Sequence, residues 1–255
     1  MGSTFQFSLI MTVSIITITY NAERFLERTM RSVLAQTSKD YEYIIVDGAS
    51  KDGTMDIVRR YEPMFEGRLR YQSEPDKGLY DAMNKGIDRA QGDFVWFINA
   101  GDEIYDADTL AAVVARATSN VDIVYGKAAI VNEEGVKVSE HHKKTPSRLL
   151  RSSFLNGLVV SHQAILVRRS IASKYDLRYR ICADYDWCIR AVTASRGQAY
   201  IDNYVCKFLT AGVSQKQRKR AWKERFHIMQ SHFGLMSTLW AHLLIVLKYP
   251  FSIKY

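Results

Sequence analysis

The sequence predicts an α/β fold in which a mostly parallel central sheet is flanked by helices and followed by a C-terminal helical tail. Three observations predict it. Val13-Ser14-Ile15-Ile16-Thr17-Ile18-Thr19 is β-branched at nearly every position, as buried strands are. From there to Ser73, strand-like runs alternate with helical spacing in the order β-α-β-α-β, which winds a parallel sheet. The run Phe94 to Ile98 shows no apolar-polar alternation, so it reads as a strand buried on both faces, and it ends abruptly in Asn99-Ala100-Gly101-Asp102.

The bulk properties agree. A chain of 255 residues, 47% hydrophobic and 24% charged, suits one large domain or a domain with an appendage, and disorder is not expected. The net charge of +8 points to an anionic partner such as a nucleotide, a phospholipid or nucleic acid. Cys182, Cys188 and Cys206 are odd in number and lack CxxC spacing, which argues against a disulfide framework and a zinc site and fits a reducing, cytoplasmic compartment. The opening Met1 to Met11 does not have the pattern of a signal peptide.

Taken in order, the first strand closes at Tyr20-Asn21, where Asn21 is a candidate N-cap for a helix over 22–36. Leu26, Met30, Val33 and Leu34 share one face of that helix. Tyr41 to Val46 makes a second strand, closed by the polar loop Asp47-Gly48-Ala49-Ser50-Lys51-Asp52-Gly53-Thr54. A short helix over 54–61 and a third strand over 68–73 follow. The loops after parallel strands gather at one edge, where ligands bind. No GxGxxG follows the first strand and no GxxxxGK[ST] occurs, which argues against dinucleotide oxidoreductases and P-loop NTPases.

In 74–87, Leu79, Met83 and Ile87 have the spacing of a buried helical stripe. Asp76, Lys77, Asp81 and Lys85 are denser than a packing helix requires. A lysine and a helix N-terminus beside a strand edge suit a phosphate. The fourth strand then surfaces at Asp102, with Gly101 permitting close backbone approach. Asp108 to Ala117 reads as an amphipathic helix and Asp122 to Tyr125 as a strand. Ala128 to Val138, broken at Glu133-Glu134-Gly135, reads as a β-hairpin. The winding pattern ends near residue 126, with no linker that would separate independent domains.

The strand Val13 to Asn21, the Asp47 to Thr54 loop and the run Ser73-Glu74-Pro75-Asp76-Lys77-Gly78-Leu79-Tyr80-Asp81-Ala82-Met83-Asn84-Lys85-Gly86 together resemble a family 2 glycosyltransferase of the GT-A fold, in its bacterial polysaccharide-assembly branch. The resemblance spans roughly residues 12–214. It implies a Rossmann-like donor half (12–126) and an acceptor half (127–214), after which 215–255 reads as a basic, amphipathic helical tail. It also implies a nucleotide-sugar donor, a UDP-sugar by preference. Carried over, Thr19, Tyr20, Asn21, Asp47, Gly48, Ser50, Lys77, Asp81, Lys85 and Gly101 become nucleotide-sugar contacts. The family's Asp-x-Asp metal motif falls on Asn99-Ala100-Gly101-Asp102, where only Asp102 keeps a carboxylate, and a second acid common beside Asp47 is replaced by Gly48. Divalent Mn2+ or Mg2+ accepts one carboxylate plus substrate phosphates and waters, so Asp102 is the expected metal ligand.

Ser161-His162-Gln163 resembles the family's entry to the acceptor side and makes His162 an acceptor-side candidate; a buried structural histidine is the other reading. Ile181-Cys182-Ala183-Asp184-Tyr185-Asp186 is similar to the acidic motif at a helix start. Asp184 takes the place of the base that deprotonates the acceptor hydroxyl, with Asp186 in reserve. Either acid also suits the first turn of a helix without catalysis. An Asp of ordinary pKa, about 3.9, is a poor base for a sugar hydroxyl, and burial improves it. The resemblance further implies single displacement with inversion. The acceptor that the resemblance implies is a saccharide or a lipid-linked saccharide of the bacterial surface.

Gly212-Val213-Ser214 is similar to a loop closing over the donor. Beyond it Lys216, Arg218, Lys219, Arg220, Lys223 and Arg225 face a single acid, Glu224, and an apolar run over 235–247 follows. That run is short of the ~20 residues a membrane span requires. A basic stretch before an apolar helix with Trp, Tyr and Lys at its ends fits attachment to a membrane surface through 216–251. A helix docked on the domain or on a partner subunit is the other reading. Nucleic acid is not the expected partner, since no reader motif accompanies the charge. Two alternatives stand beside the transferase: a noncatalytic sugar-nucleotide-binding or scaffold protein, and a nucleotidyltransferase, which should show a Gly/Arg-rich loop after its first strand.

Overall fold

The computed structural model describes residues 11–140, 144–209 and 217–252. In chain order these form β1 (Val13–Thr19), α1 (Glu23–Leu34), β2 (Tyr41–Asp47), α2 (Thr54–Tyr61), β3 (Leu69–Ser73), α3 (Leu79–Arg89), β4 (Phe94–Phe97), β5 (Glu103–Ile104), α4 (Thr109–Val114), β6 (Ile123–Val131), β7 (Lys137–Glu140), β8 (Ile165–Arg168), α5 (Ala183–Ala194), β9 (Gln198–Leu209), α6 (Arg218–Phe233) and α7 (Leu235–Ser252).

A nine-stranded sheet carries them in the order β3-β2-β1-β4-β8-β6-β9-β5, with β7 added to β6. The first four strands are parallel, and β8 joins β4 antiparallel. This is the expected α/β architecture with a parallel first half, and the later strands make the sheet as a whole mixed. Every residue of β1 and β4 is buried, which is why neither shows alternation. The register sets Thr19 beside Asp47 and Asp47 beside Ser73, so the ends of three strands form one row. The strand order reverses between β1 and β4, and the crevice outside their carboxyl ends is the place where such sheets bind ligands.

Several local expectations need correction. Asn21 is not an N-cap: Ala22 holds that position and Asn21 has φ +47. Its side chain turns to the neighbouring loop, where Oδ1 accepts Lys51 N at 2.9 Å. The buried side of α3 is Tyr80, Met83 and Asn84, while Leu79 is exposed and Ile87 half-buried. The helix lies so close to β1 that a Cβ on Gly86 would meet Ile16 Cγ2 at 2.6 Å. That contact sets the phase of the helix. The strand at Asp122 to Tyr125 and the first arm of the hairpin are one strand, β6, with β7 as its return. Residue 126, near which the winding pattern ends, lies within β6, and the segments on either side share one sheet.

The described part of the tail docks on the domain. Helix α6 packs on α5, where His232 Nε2 meets Asp186 Oδ1 at 2.7 Å and Glu224 reaches the segment entering α5. The Gly212-Val213-Ser214 loop and Lys216 lie outside the described residues.

Candidate functional site

Asp102 stands just past β4 because a buried strand must surface there, and Gly101, with φ +104, turns the chain. The carboxylate is 4% exposed. Oδ1 accepts the N–H of Leu209 at 2.9 Å, which ties the end of β9 to the end of β4. Burial pushes the Asp102 carboxyl up to about 7, against the lowering effect of the Leu209 N–H and the Gln163 side chain. Arg28, the distant cation that acts on it, contributes less than these. A buried carboxylate so placed gains most from a cation.

The wall opposite is the start of α5. Asp184 is partly buried in its first turn, and Tyr80 Oη on α3 donates to Asp184 Oδ1 at 3.2 Å and to Ile181 O at 2.8 Å. Burial raises the Asp184 carboxyl above the usual range, more than the Tyr185 N–H and Tyr80 hydroxyl lower it. Asp102 and Asp184 line one cavity of about 340 Å3, together with Asn99, His162, Arg180 and Leu209. Two acids from distant segments thus face a common space with raised proton affinity, as acid-base and cation chemistry require.

The nucleotide edge is built from β1 and β2. Asp47 is fully buried, and its carboxylate accepts Ser50 N at 2.9 Å, Ser73 Oγ at 2.5 Å and Ser50 Oγ. Ser50 Oγ in turn accepts Asn21 N at 2.8 Å. Tyr20 is 63% exposed beside it, an aromatic face open to a base. A Cβ on Gly48 would lie 2.5 Å from Asp76 Oδ2, so only glycine allows that approach. Thr19 Oγ1 is buried without a hydrogen-bond partner among the described residues, and so is Asn99 Oδ1. Ala100 N bonds Ile18 O at 3.4 Å, so both orphaned oxygens belong to the β1–β4 crevice. Buried polar atoms in that condition take their partner from water or a ligand.

No group of three or more His, Cys, Asp or Glu suited to a metal ion occurs among the described residues. The oxygens present nevertheless fit a hard divalent cation that takes most of its shell from substrate and water: one buried carboxylate, Asp102, and one unpartnered amide oxygen, Asn99 Oδ1.

Other expected contacts stand elsewhere. Lys77 and Asp81 line an adjoining cavity that shares Leu79, Tyr80, Arg180 and Ile181 with the first. Asp81 Oδ2 accepts Lys77 N at 3.0 Å. Lys85 is not available for a phosphate, because its Nζ donates to Pro75 O at 2.8 Å and pairs with Glu74 at 3.0 Å. Asp186 is not a reserve base: it is buried, pairs with Arg190 at 2.7 Å and meets His232 at 2.7 Å. These partners hold its carboxyl below the usual range despite the opposing effect of burial. His162 lies in the cavity wall, 3% exposed, against Phe97, Tyr175 and Trp187. Burial lowers it to about 3, so it is neutral, with Nε2 hydrogen-bonded to Tyr175 Oη.

Sequence reasoning passed over Tyr80, Gln163 and Glu224. Tyr80 sits inside a motif singled out for its charges, and Gln163 directly follows His162. Glu224 gave one usable signal, an acid alone in a basic helix.

The family profile described as Glycosyl transferase family 2 matches residues 14–176. A PGL/p-HBAD biosynthesis glycosyltransferase of Mycobacterium tuberculosis is 37% identical over 186 residues, covering 69% of this chain and 68% of the relative. Among solved structures, residues 1–349 of S. aureus TarS in complex with UDP-GlcNAc superpose with TM-score 0.71 at 21% identity. The alignment covers 87% of this chain and 65% of TarS 1–349, so the chain spans less than two thirds of that protein's length. The mannosyltransferase PcManGT of Pyrobaculum calidifontis, in complex with GDP-Man and Mn2+, gives TM-score 0.59 at 20% identity and covers 88% of this chain and 63% of its own. At these identities the structural likeness speaks for the fold.

Proposed function

The chain belongs to glycosyl transferase family 2, and from that premise we propose that it transfers a sugar from a UDP-sugar to a saccharide or lipid-linked saccharide acceptor, with inversion at the anomeric carbon. The observation that carries the proposal is the single cavity shared by Asp102 and Asp184. Residues 12–126 hold the donor, 127–214 shape the acceptor side and 215–255 form the tail. Thr19, Tyr20, Asp47, Gly48 and Ser50 receive the nucleoside, with Lys77, Asp81 and Gly101 toward the diphosphate. The UDP-GlcNAc bound by TarS supports this donor, and the mycobacterial relative is named as a PGL/p-HBAD biosynthesis glycosyltransferase.

Asp184 takes the acceptor hydroxyl proton while that oxygen attacks the anomeric carbon from the side away from the leaving diphosphate. Its burial raises proton affinity, and the Tyr80 hydroxyl orients the carboxylate. Asp102 and Asn99 would hold Mn2+ or Mg2+, and PcManGT was solved with Mn2+. Held there, a divalent ion would supply positive charge to stabilise the leaving diphosphate.

The enzyme is proposed to work at the inner, cytoplasmic face of the membrane without spanning it; no helix among the described residues is long and apolar enough to cross. Met236, Leu239, Trp240 and Leu243 recur on one exposed stripe of α7. Beside it, Trp222 of the basic helix α6 packs its ring on His242. Basic charge next to an exposed apolar stripe suits an anionic lipid surface. Flotation with anionic vesicles should capture the protein, and Trp240→Glu should release it; equal capture of both overturns the attachment.

The catalytic reading is tested by a donor panel assayed with Mn2+, Mg2+ and chelator, beside Asp184→Asn. Turnover that survives in Asp184→Asn removes Asp184 as the base. A wild-type protein that binds UDP yet turns over no donor favours the scaffold reading.

A further inference from the structure

Glu224 is the one acid in a helix otherwise rich in Arg and Lys, and it is 7% exposed. Its carboxylate accepts three consecutive backbone N–H groups: Arg180 at 3.0 Å on Oε1, Ile181 at 2.8 Å and Cys182 at 3.1 Å on Oε2. Arg220 Nε adds a 2.9 Å bond to Oε1. Burial works against ionisation, but these donors bring the Glu224 carboxyl below its usual range, so it is an anion.

The three residues it grips lead directly into the catalytic helix. Cys182 is the N-cap of α5 and Asp184 lies in the first turn. Backbone N–H groups before a helix have no intrahelical partner and must be satisfied from outside. Glu224 does this from α6. From the opposite side, Tyr80 of α3 holds Ile181 O and Asp184 Oδ1. The 180–184 segment is thus pinned between two helices that are distant in the chain, α3 (Leu79–Arg89) and α6 (Arg218–Phe233).

We propose that Glu224 is the positioning residue for the base: by fixing the 180–182 backbone it sets the direction of Asp184 into the cavity, which makes α6 part of the catalytic apparatus. This rests on Asp184 being the base. A brace that only held the tail on would have no reason to satisfy the very amides that precede Asp184. The charged and titratable groups facing Asp184 are Tyr80 from α3, Tyr175 from the segment before α5, Cys182 and Cys188 at its own helix, and Glu224 from α6. After burial, the Glu224 anion is a further cause that lifts the Asp184 carboxyl.

The test compares Glu224→Gln, Glu224→Ala and Asp184→Asn in the full chain, with UDP-binding capacity as the measure of folded protein. Glu224→Gln keeps the shape but turns an NH2 group toward backbone donors, and should lower kcat about ten-fold with KM for the UDP-sugar nearly unchanged. Glu224→Ala should lower it by about 10²-fold. In Glu224→Gln the acid limb of the kcat/KM pH profile should move to lower pH, because a negative neighbour has gone. A fall in kcat that only tracks lost UDP-binding capacity, with the limb in place, overturns positioning. So does wild-type kcat in Glu224→Gln beside an inactive Asp184→Asn. Turnover in Asp184→Asn instead overturns the base reading beneath it.

Discussion

The N–H of Leu209 donates to Oδ1 of Asp102 at 2.9 Å, joining two strand ends 107 residues apart. That bond fixes one carboxylate oxygen of an acid that lines the shared cavity. Asp102→Asn keeps an acceptor for Leu209 and removes the charge, so the fold should persist. Turnover should fall by about 10²–10³-fold with the loss of metal-ion stabilisation. Metal titration followed by thermal melting should show a Mn2+-dependent rise in Tm for wild type and none for the variant. An equal rise in both would remove Asp102 as the ligand.

Tyr80 governs the second acid. Tyr80→Phe deletes the bonds to Ile181 O and Asp184 Oδ1 while keeping the ring stacked on Tyr175. The hydroxyl lowers the Asp184 carboxyl, after the larger raising effect of burial. Its loss should therefore move the acid limb of the kcat/KM profile to higher pH, opposite in sign to Glu224→Gln. The expected cost in kcat is about ten-fold. Steady-state rates across pH decide it; a limb that stays in place counts against the contact.

What the sequence revealed, and what it concealed, follows from the range of each interaction. β1 and β4 were legible because burial on both faces leaves an uninterrupted apolar run. Asp102 was legible because such a run ended in an acid beside glycine. Asn21 misled, since a short polar side chain after a strand serves equally as a cap or as a left-handed turn residue. The stripe at Leu79, Met83 and Ile87 had the right period, but period does not tell which side opens on a cavity. Asp184 and Asp186 share one turn of helix. Only His232 and Arg190, reached through tertiary packing, separate the structural acid from the cavity acid. Glu224 was hidden by a charge count that treated it as one offset among six cations.

Gly101 offers a test of the crevice itself. Its φ of +104 is strained for any other residue, and a Cβ there would meet Leu209 Cδ2 at 2.8 Å. The Leu209 side chain can swing, but the backbone strain cannot be relieved so cheaply. Gly101→Ala should cost about 1–3 kcal/mol of stability. Because Leu209 also holds Asp102, Mn2+ affinity should weaken in the same variant. Chemical denaturation with and without Mn2+ measures both, and an unchanged midpoint would show that the turn tolerates a side chain.

His162 predicts the acid limit of stability. Burial lowers it from an ordinary 6.5 to about 3 in the folded chain. A histidine with a depressed folded pKa binds its proton more readily when unfolded. Its contribution is therefore fully present above pH 6.5 and is lost as pH falls from 6.5 toward 3. The full swing is on the order of 5 kcal/mol. His162→Gln has no such proton to take up, so it should be less stable than wild type near pH 7.5 yet lose less on acidification. Urea midpoints at pH 7.5 and pH ~5 compare the two slopes. If wild type and variant lose stability in parallel over that interval, His162 does not titrate with unfolding. A carboxylate such as Asp122, held below the usual range by its bond to Arg196, cannot mimic this loss, because its contribution is present above the ordinary 3.8 and goes only as pH falls below it.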